Sequence, residues 1–174
     1  MALNCLPLRV RPVRMEKQSP PPHAWSTRRL NITPKPKRPT DWRKRFDAAK
    51  PAKTVVLHTD FAGIKTGTTM HIGSPGTIAN YISRIPAGEV RSIERMRNEL
   101  ARKNDAQATC PVTTAIYLKV VAEVALTDLA EGKASTEVVP FWRVIEPDSK
   151  IAKKLSCDSQ LIEHYRLLEQ ADLS

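Results

Sequence analysis

The whole formal charge excess of this chain sits in its first 50 residues, and that asymmetry limits which part can build a core. Thirteen Lys and Arg residues stand there against three acids, Glu16, Asp41 and Asp47, which accounts for the entire formal net charge of +10. Past residue 50 basic and acidic side chains balance. Eight of the 14 prolines lie in the same opening stretch, with Pro20, Pro21 and Pro22 consecutive. Proline removes backbone donors and blocks helix and sheet ladders. A charged, proline-rich segment cannot bury enough apolar surface to offset its conformational entropy. Residues 1–40 are therefore expected to be a disordered or extended basic arm. Such arms bind phosphate polyanions through counterion release, without sequence preference. A solvated tail with no partner is the alternative that this composition leaves open.

Targeting and membrane insertion find little support in the residues. Arg9, Arg11 and Arg14 with no acid before residue 15 resemble a transit peptide in composition, but Pro7 and Pro12 break a helix there. Whether Met1 or Met15 is the start stays open. The longest apolar stretch, Val112 to Ala130, is interrupted by Lys119, Glu123 and Asp128, which reads as a core helix and not as a membrane span. Cys5, Cys110 and Cys157 are odd in number and widely spaced, and the four histidines are scattered. Neither set has metal-ligand or redox spacing. No metal or cofactor is expected, and the chain reads as intracellular, in cytoplasm or nucleoid, with reduced thiols.

The remaining residues carry strong start and stop signals. Thr40 or Asp41 caps a short helix containing Trp42, Arg43, Lys44, Arg45 and Phe46, whose two aromatics at i and i+4 are expected to dock while the basic residues face out. Residues 53–58 and 67–72 have β-type composition with Gly63 and Gly67 between them, which predicts a short hairpin. Residues 41–72 are thus a docking helix and hairpin, and residues 73–174 the main domain. Ser74-Pro75 is a good helix start, followed by Ile78, Tyr81, Ile82 and Ile85 at helical spacing. Ser92 caps a helix to about Lys103. Thr109-Cys110-Pro111 opens a longer one to about Glu131, with Val112, Ile116, Val120 and Val124 spaced by four and Gly132 as its stop. Val138 to Ile145 reads as a strand or extended loop. Asp158 caps a last helix with Leu161, Tyr165 and Leu168 as its apolar face. The fold class is mainly α with a minor β part. Two helices joined by a short connection, then an extended segment, outline a helix-turn-helix or winged-helix domain.

The helix from Ser92 has two faces. At about 100° per residue, with Arg91 at zero, Arg95 falls near 40° and Arg102 near 20°, while Ile93, Met96 and Leu100 fall near 200°, 140° and 180°. The apolar side suits a core. The arginine side is either a solvated face or a stripe that meets a phosphate backbone.

Three short runs occur in order along the compact part: Ile85-Pro86-Ala87-Gly88-Glu89-Val90, then Pro140-Phe141-Trp142-Arg143-Val144-Ile145, then Leu167-Leu168-Glu169. In that order, over residues 74–172, they resemble the DNA-binding domain of the alkylguanine-DNA alkyltransferases, whose nucleophile lies in a Pro-Cys-His-Arg-Val loop. The chain is most similar to an alkyltransferase-like subgroup with a Cys-Pro-x-Thr-Thr helix start, here Cys110 to Thr114, a Trp-Arg in the loop, and a preceding Trp-Arg-Lys-Arg-Phe. The resemblance implies a winged-helix DNA-binding domain in which Arg91, Ser92, Arg95, Arg102, Thr113 and Thr114 meet DNA. Arg43, Lys44 and Arg45 would add basic contacts.

The departures from the family matter as much. Alkyl transfer to sulfur needs a thiolate activated by a neighbouring base. Phe141 stands where the family has cysteine and Trp142 where it has histidine, so the loop Pro140-Phe141-Trp142-Arg143 is degenerate and no catalytic residue is assigned. The family's late carboxylate aligns with Ala171, its phosphate-rotating Tyr with Ile93, and its loop-preceding Asn has no counterpart between Cys110 and Pro140. The helix opening Pro111-Val112-Thr113-Thr114-Ala115 lacks the Arg that fills the vacated base stack, so lesion extrusion is also in question. Phe141 and Trp142 either fill a pocket for stability or stack on a base. Cys110, before a helix, is either a buried small hydrophobe or a replacement nucleophile. The expected function is non-catalytic binding of double-stranded DNA by a monomeric domain, with sensing of an alkylated base as its narrower form. The alternative is a structural or interaction protein whose arm binds RNA or a ribonucleoprotein.

Overall fold

The computed structural model describes residues 40–172; the basic arm, apart from Thr40, lies outside the described residues. Helices dominate, with one small sheet, so the mainly α, α+β class holds. The element order is α1 (Trp42–Asp47), β1 (Lys53–Val56), β2 (Thr69–Ile72), α2 (Pro75–Ile82), α3 (Ile93–Lys103), β3 (Ala108–Thr109), α4 (Pro111–Ala130) and α5 (Ser159–Ala171). Three single 3-10 turns, at Ser135–Glu137, Phe141–Arg143 and Ala152–Lys154, lie between α4 and α5.

Local chemistry explains the helix starts. The side chains of Asp41, Ser74, Ser92 and Asp158 each accept a backbone N–H of the first helical turn, satisfying donors that have no partner within the helix. Gly132, with φ of +97°, ends the α4 segment in the left-handed region that glycine tolerates. β1 and β2 form the antiparallel hairpin, from Lys53 opposite Ile72 to Val56 opposite Thr69. A third strand joins in parallel: Met70 pairs with Ala108 and His71 with Thr109. The hairpin thus shares its sheet with the connection between α3 and α4.

The core gathers around α4. Ile78, Ile82, Ile85, Met96, Leu100, Leu118, Val121, Leu126, Phe141, Trp142, Val144, Ile145 and Ile162 are all buried in one cluster, and Phe46 of α1 packs against it. The i+4 row expected on α4 faces inward only in part. Val112 and Ile116 are exposed while Val120 is buried, and Leu118, Val121, Ala122 and Ala125 complete the inward face, because α4 is apolar nearly all round and its neighbours choose the side. On α5, Leu168 is exposed and Ile162 takes the buried place. Val138 to Ile145 forms no strand; its centre is the 3-10 turn Phe141–Arg143. No helix among the described residues is long and apolar enough to cross a membrane.

Candidate nucleic-acid interface

The loop from Pro140 is an internal keystone. Phe141 is 0% exposed and Trp142 1%. Their rings meet edge to face at 5.4 Å, and Trp142 stacks on Tyr165 of α5 at 4.5 Å. Neither ring can stack on a base in this arrangement; the pair fills the core. The Trp142 indole N–H donates to Glu169 Oε1 at 2.7 Å. Glu169 also accepts the Gly88 N–H at 3.0 Å and the Arg143 guanidinium at 2.8 and 3.0 Å. Burial alone would raise the Glu169 carboxyl, but the donors from Arg143, Gly88 and Trp142 outweigh it and hold it below the usual carboxylate range. The carboxylate that meets Trp142 is Glu169, while Ala171 two residues on is exposed. Arg143 further donates to the Ile85 carbonyl, and Arg166 to those of Trp142 and Ile145. Side chains from α5 and the 85–88 turn thus hold the loop from both ends.

The arginine stripe of α3 is only partly free. Arg91 pairs with Glu89 at 2.9 Å and with Glu99 at 3.1 Å. Arg95 pairs with Glu99 at 2.8 Å, one turn along the helix. Glu99 falls near 80° on the same wheel, beside the stripe, which is where the two-faced reading overlooked it. Hydrogen bonds from Arg95 and Tyr81 hold the Glu99 carboxyl down, and one from Arg91 does so for Glu89. Arg102 is exposed and has no ion pair among the described residues. A shallow groove of about 430 Å³ runs over this face, lined by Ser92, Arg95, Asn98 and Arg102 among others. The Ser92 hydroxyl already caps Arg95 N at 3.1 Å.

The other expected contacts divide. Thr114 is 2% exposed and its hydroxyl donates to the Cys110 carbonyl at 2.7 Å, so it is internal and cannot reach DNA. Thr113 is half-buried beside the exposed Val112 and Ile116. Arg43 is exposed but committed: it reaches across to Asp128 and Glu131 of α4, with Glu131 Oε1 at 2.9 Å. Lys44 and Arg45 are exposed, and Arg45 and Lys119 flank the Trp42 ring at 5.7 and 5.4 Å. Cys110 is 2% exposed, as a buried small hydrophobe is. Among the described residues no three His, Cys, Asp or Glu side chains gather as a metal site would need.

One feature carried no sequence signal. A cleft of about 500 Å³ opens between α2 and α3. Its walls include Asn80, Tyr81, Arg84, Glu99, Lys103 and Asn104. Arg84 and Lys103 are exposed and unpaired among the described residues. The two walls are tied by the Tyr81 hydroxyl donating to Glu99 Oε2 at 2.9 Å, a link between residues 18 positions apart. No family model, curated protein or solved structure matches this chain.

Proposed function

We propose that this protein is a non-catalytic DNA-binding protein of alkyltransferase-like design, with a winged-helix or helix-turn-helix arrangement in which α3 and the start of α4 face the duplex. The observation that carries the non-catalytic half is the loop from Pro140. The position that should hold an alkyl acceptor is a fully buried phenyl ring, and the position of the activating base is an indole that acts as a hydrogen-bond donor. A loop so filled has neither a lone pair to accept carbon nor room for a flipped base. The binding half is favoured by the free Arg102, the half-exposed Arg95 and the exposed Lys44 and Arg45. The basic opening segment adds non-specific affinity through counterion release. An alkylated-base sensor is the narrower form of this reading.

A second reading draws on one fact: basic and acidic residues balance beyond residue 50. In it, the folded part is an interaction module and only the basic segment touches nucleic acid, with RNA or a ribonucleoprotein as partner. Titration of the full chain and of residues 40–174 with plain duplex, alkylguanine duplex and RNA separates the two. Duplex binding by residues 40–174 supports the first reading. RNA binding by the full chain alone, with none by residues 40–174, supports the second. Incubation with radiolabelled methylguanine DNA is expected to leave no label on the protein, and stoichiometric label would overturn the non-catalytic assignment.

A further inference from the structure

We propose that the cleft between α2 and α3 binds a phosphomonoester of nucleotide size. This does not depend on duplex binding by α3, and either can fail alone. Of the charged groups lining the cleft, the single carboxylate is spent. Glu99 accepts the Tyr81 hydroxyl at 2.9 Å, Arg91 at 3.1 Å and Arg95 at 2.8 Å, so both of its oxygens are occupied. Arg84, just past α2, and Lys103, on the last turn of α3, have no counter-ion among the described residues. Two unmatched cations from separate segments, in a cleft whose acid is already neutralised, select a dianion over a neutral or cationic ligand. The volume of about 500 Å³ falls within the range of small-molecule sites and admits a sugar and ring beside the phosphate. Among the described residues the Asn80 amide has no partner, and Asn104 uses one N–H on the Leu100 carbonyl at 2.7 Å while its side-chain oxygen has none. These amides offer donors and an acceptor to sugar hydroxyls or ring edges. The ligand is a free nucleoside monophosphate or the phosphorylated 5′ end of a strand, which share this chemistry.

Magnetic-resonance titration of the full chain reads the site directly, because the side-chain amides of Asn80 and Asn104 report from within the cleft and charges elsewhere cannot mimic them. A nucleoside monophosphate is expected to shift both amides saturably, and the matching nucleoside to leave them unmoved. A short oligonucleotide with a 5′ phosphate that shifts them, when its unphosphorylated form does not, identifies the strand end as the better source. The double variant R84Q/K103Q, at two exposed positions, is expected to keep its melting temperature and lose at least about tenfold in affinity. Arg102→Gln, outside the cleft, is expected to bind like the parent. The proposal is overturned by unshifted amides at about 10 mM monophosphate. Equal response to inorganic phosphate or to the unphosphorylated strand, or binding that survives R84Q/K103Q, overturns it as well.

Discussion

Phe141 is fully buried, and the two residues after it are tied down by polar contacts. Trp142 and Arg143 converge on Glu169, whose side chain is 15% exposed, and the cluster ties the 85–88 turn, the loop and α5 together. Removing one member of a largely buried ion pair leaves the other unmatched, so Glu169→Ala is expected to cost about 2–4 kcal/mol. Glu169→Gln keeps an acceptor for Trp142 and is expected to cost less; urea unfolding measures both. Phe141→Ala leaves a cavity in the core and is expected to cost about 3–5 kcal/mol by the same assay. His71 and Glu169 are two of the groups that shape the pH dependence. His71 is 2% exposed, its Nδ1 lies 3.5 Å from the Thr54 hydroxyl, and its Nε2 has no partner among the described residues. Burial lowers its pKa, so the unfolded chain takes up the proton first. Stability is full above the ordinary histidine value of 6.5 and falls as pH drops from there through the folded value. Glu169 adds a second loss as pH falls from 4.5 through its own depressed value. A melting-temperature profile flat from pH 7 to about pH 5 would contradict the first loss.

At the scale of elements, α3 carries both a free and a committed cation. Arg102→Gln is expected to lower the log–log salt slope on duplex DNA by about 1 with no change in stability. Arg91→Gln breaks the contacts with Glu89 and Glu99 and is expected to lower the melting temperature. Glu99→Gln tests the competition between the two roles. It removes the shorter of the two ion pairs of Arg95 and leaves Glu89 at 3.8 Å, and if α3 faces the duplex the variant is expected to bind more tightly than its parent, read by fluorescence anisotropy at fixed salt. Weaker or unchanged binding would remove α3 from the interface.

For the whole molecule, the question is where binding ends and folding begins. Residues 1–39 hold nine Lys and Arg residues against the single acid Glu16. If about six of these meet phosphates, deleting the segment lowers the salt slope by about 5; an unchanged slope would assign affinity to the folded part. Residues 40–72 behave differently. Phe46 packs on the core, Arg43 joins α1 to α4, and β2 pairs with β3. A fragment starting at residue 73 is therefore expected to melt well below residues 40–174 in calorimetry.

The amino-acid sequence by itself determined what depends on near neighbours. Ser74, Ser92 and Asp158 announce helix starts because a cap needs only a backbone N–H two or three residues on. The hairpin was legible for the same reason, whereas the choice between pocket filling and base stacking for Phe141 and Trp142 was not. Tertiary structure alone decided which distant groups meet. β3, at two residues, is too short for any periodicity. Arg43 finds Glu131 88 positions away, and Trp142 finds Glu169 27 positions away. Thr114 turned inward, and Glu99 drew in two of the three stripe arginines. Hydrophobic spacing reports which side of a helix seeks the core. It carries no information on which distant side chains meet, and those meetings decide which charges are neutralised and which, like Arg84 and Lys103, have no counter-ion among the described residues.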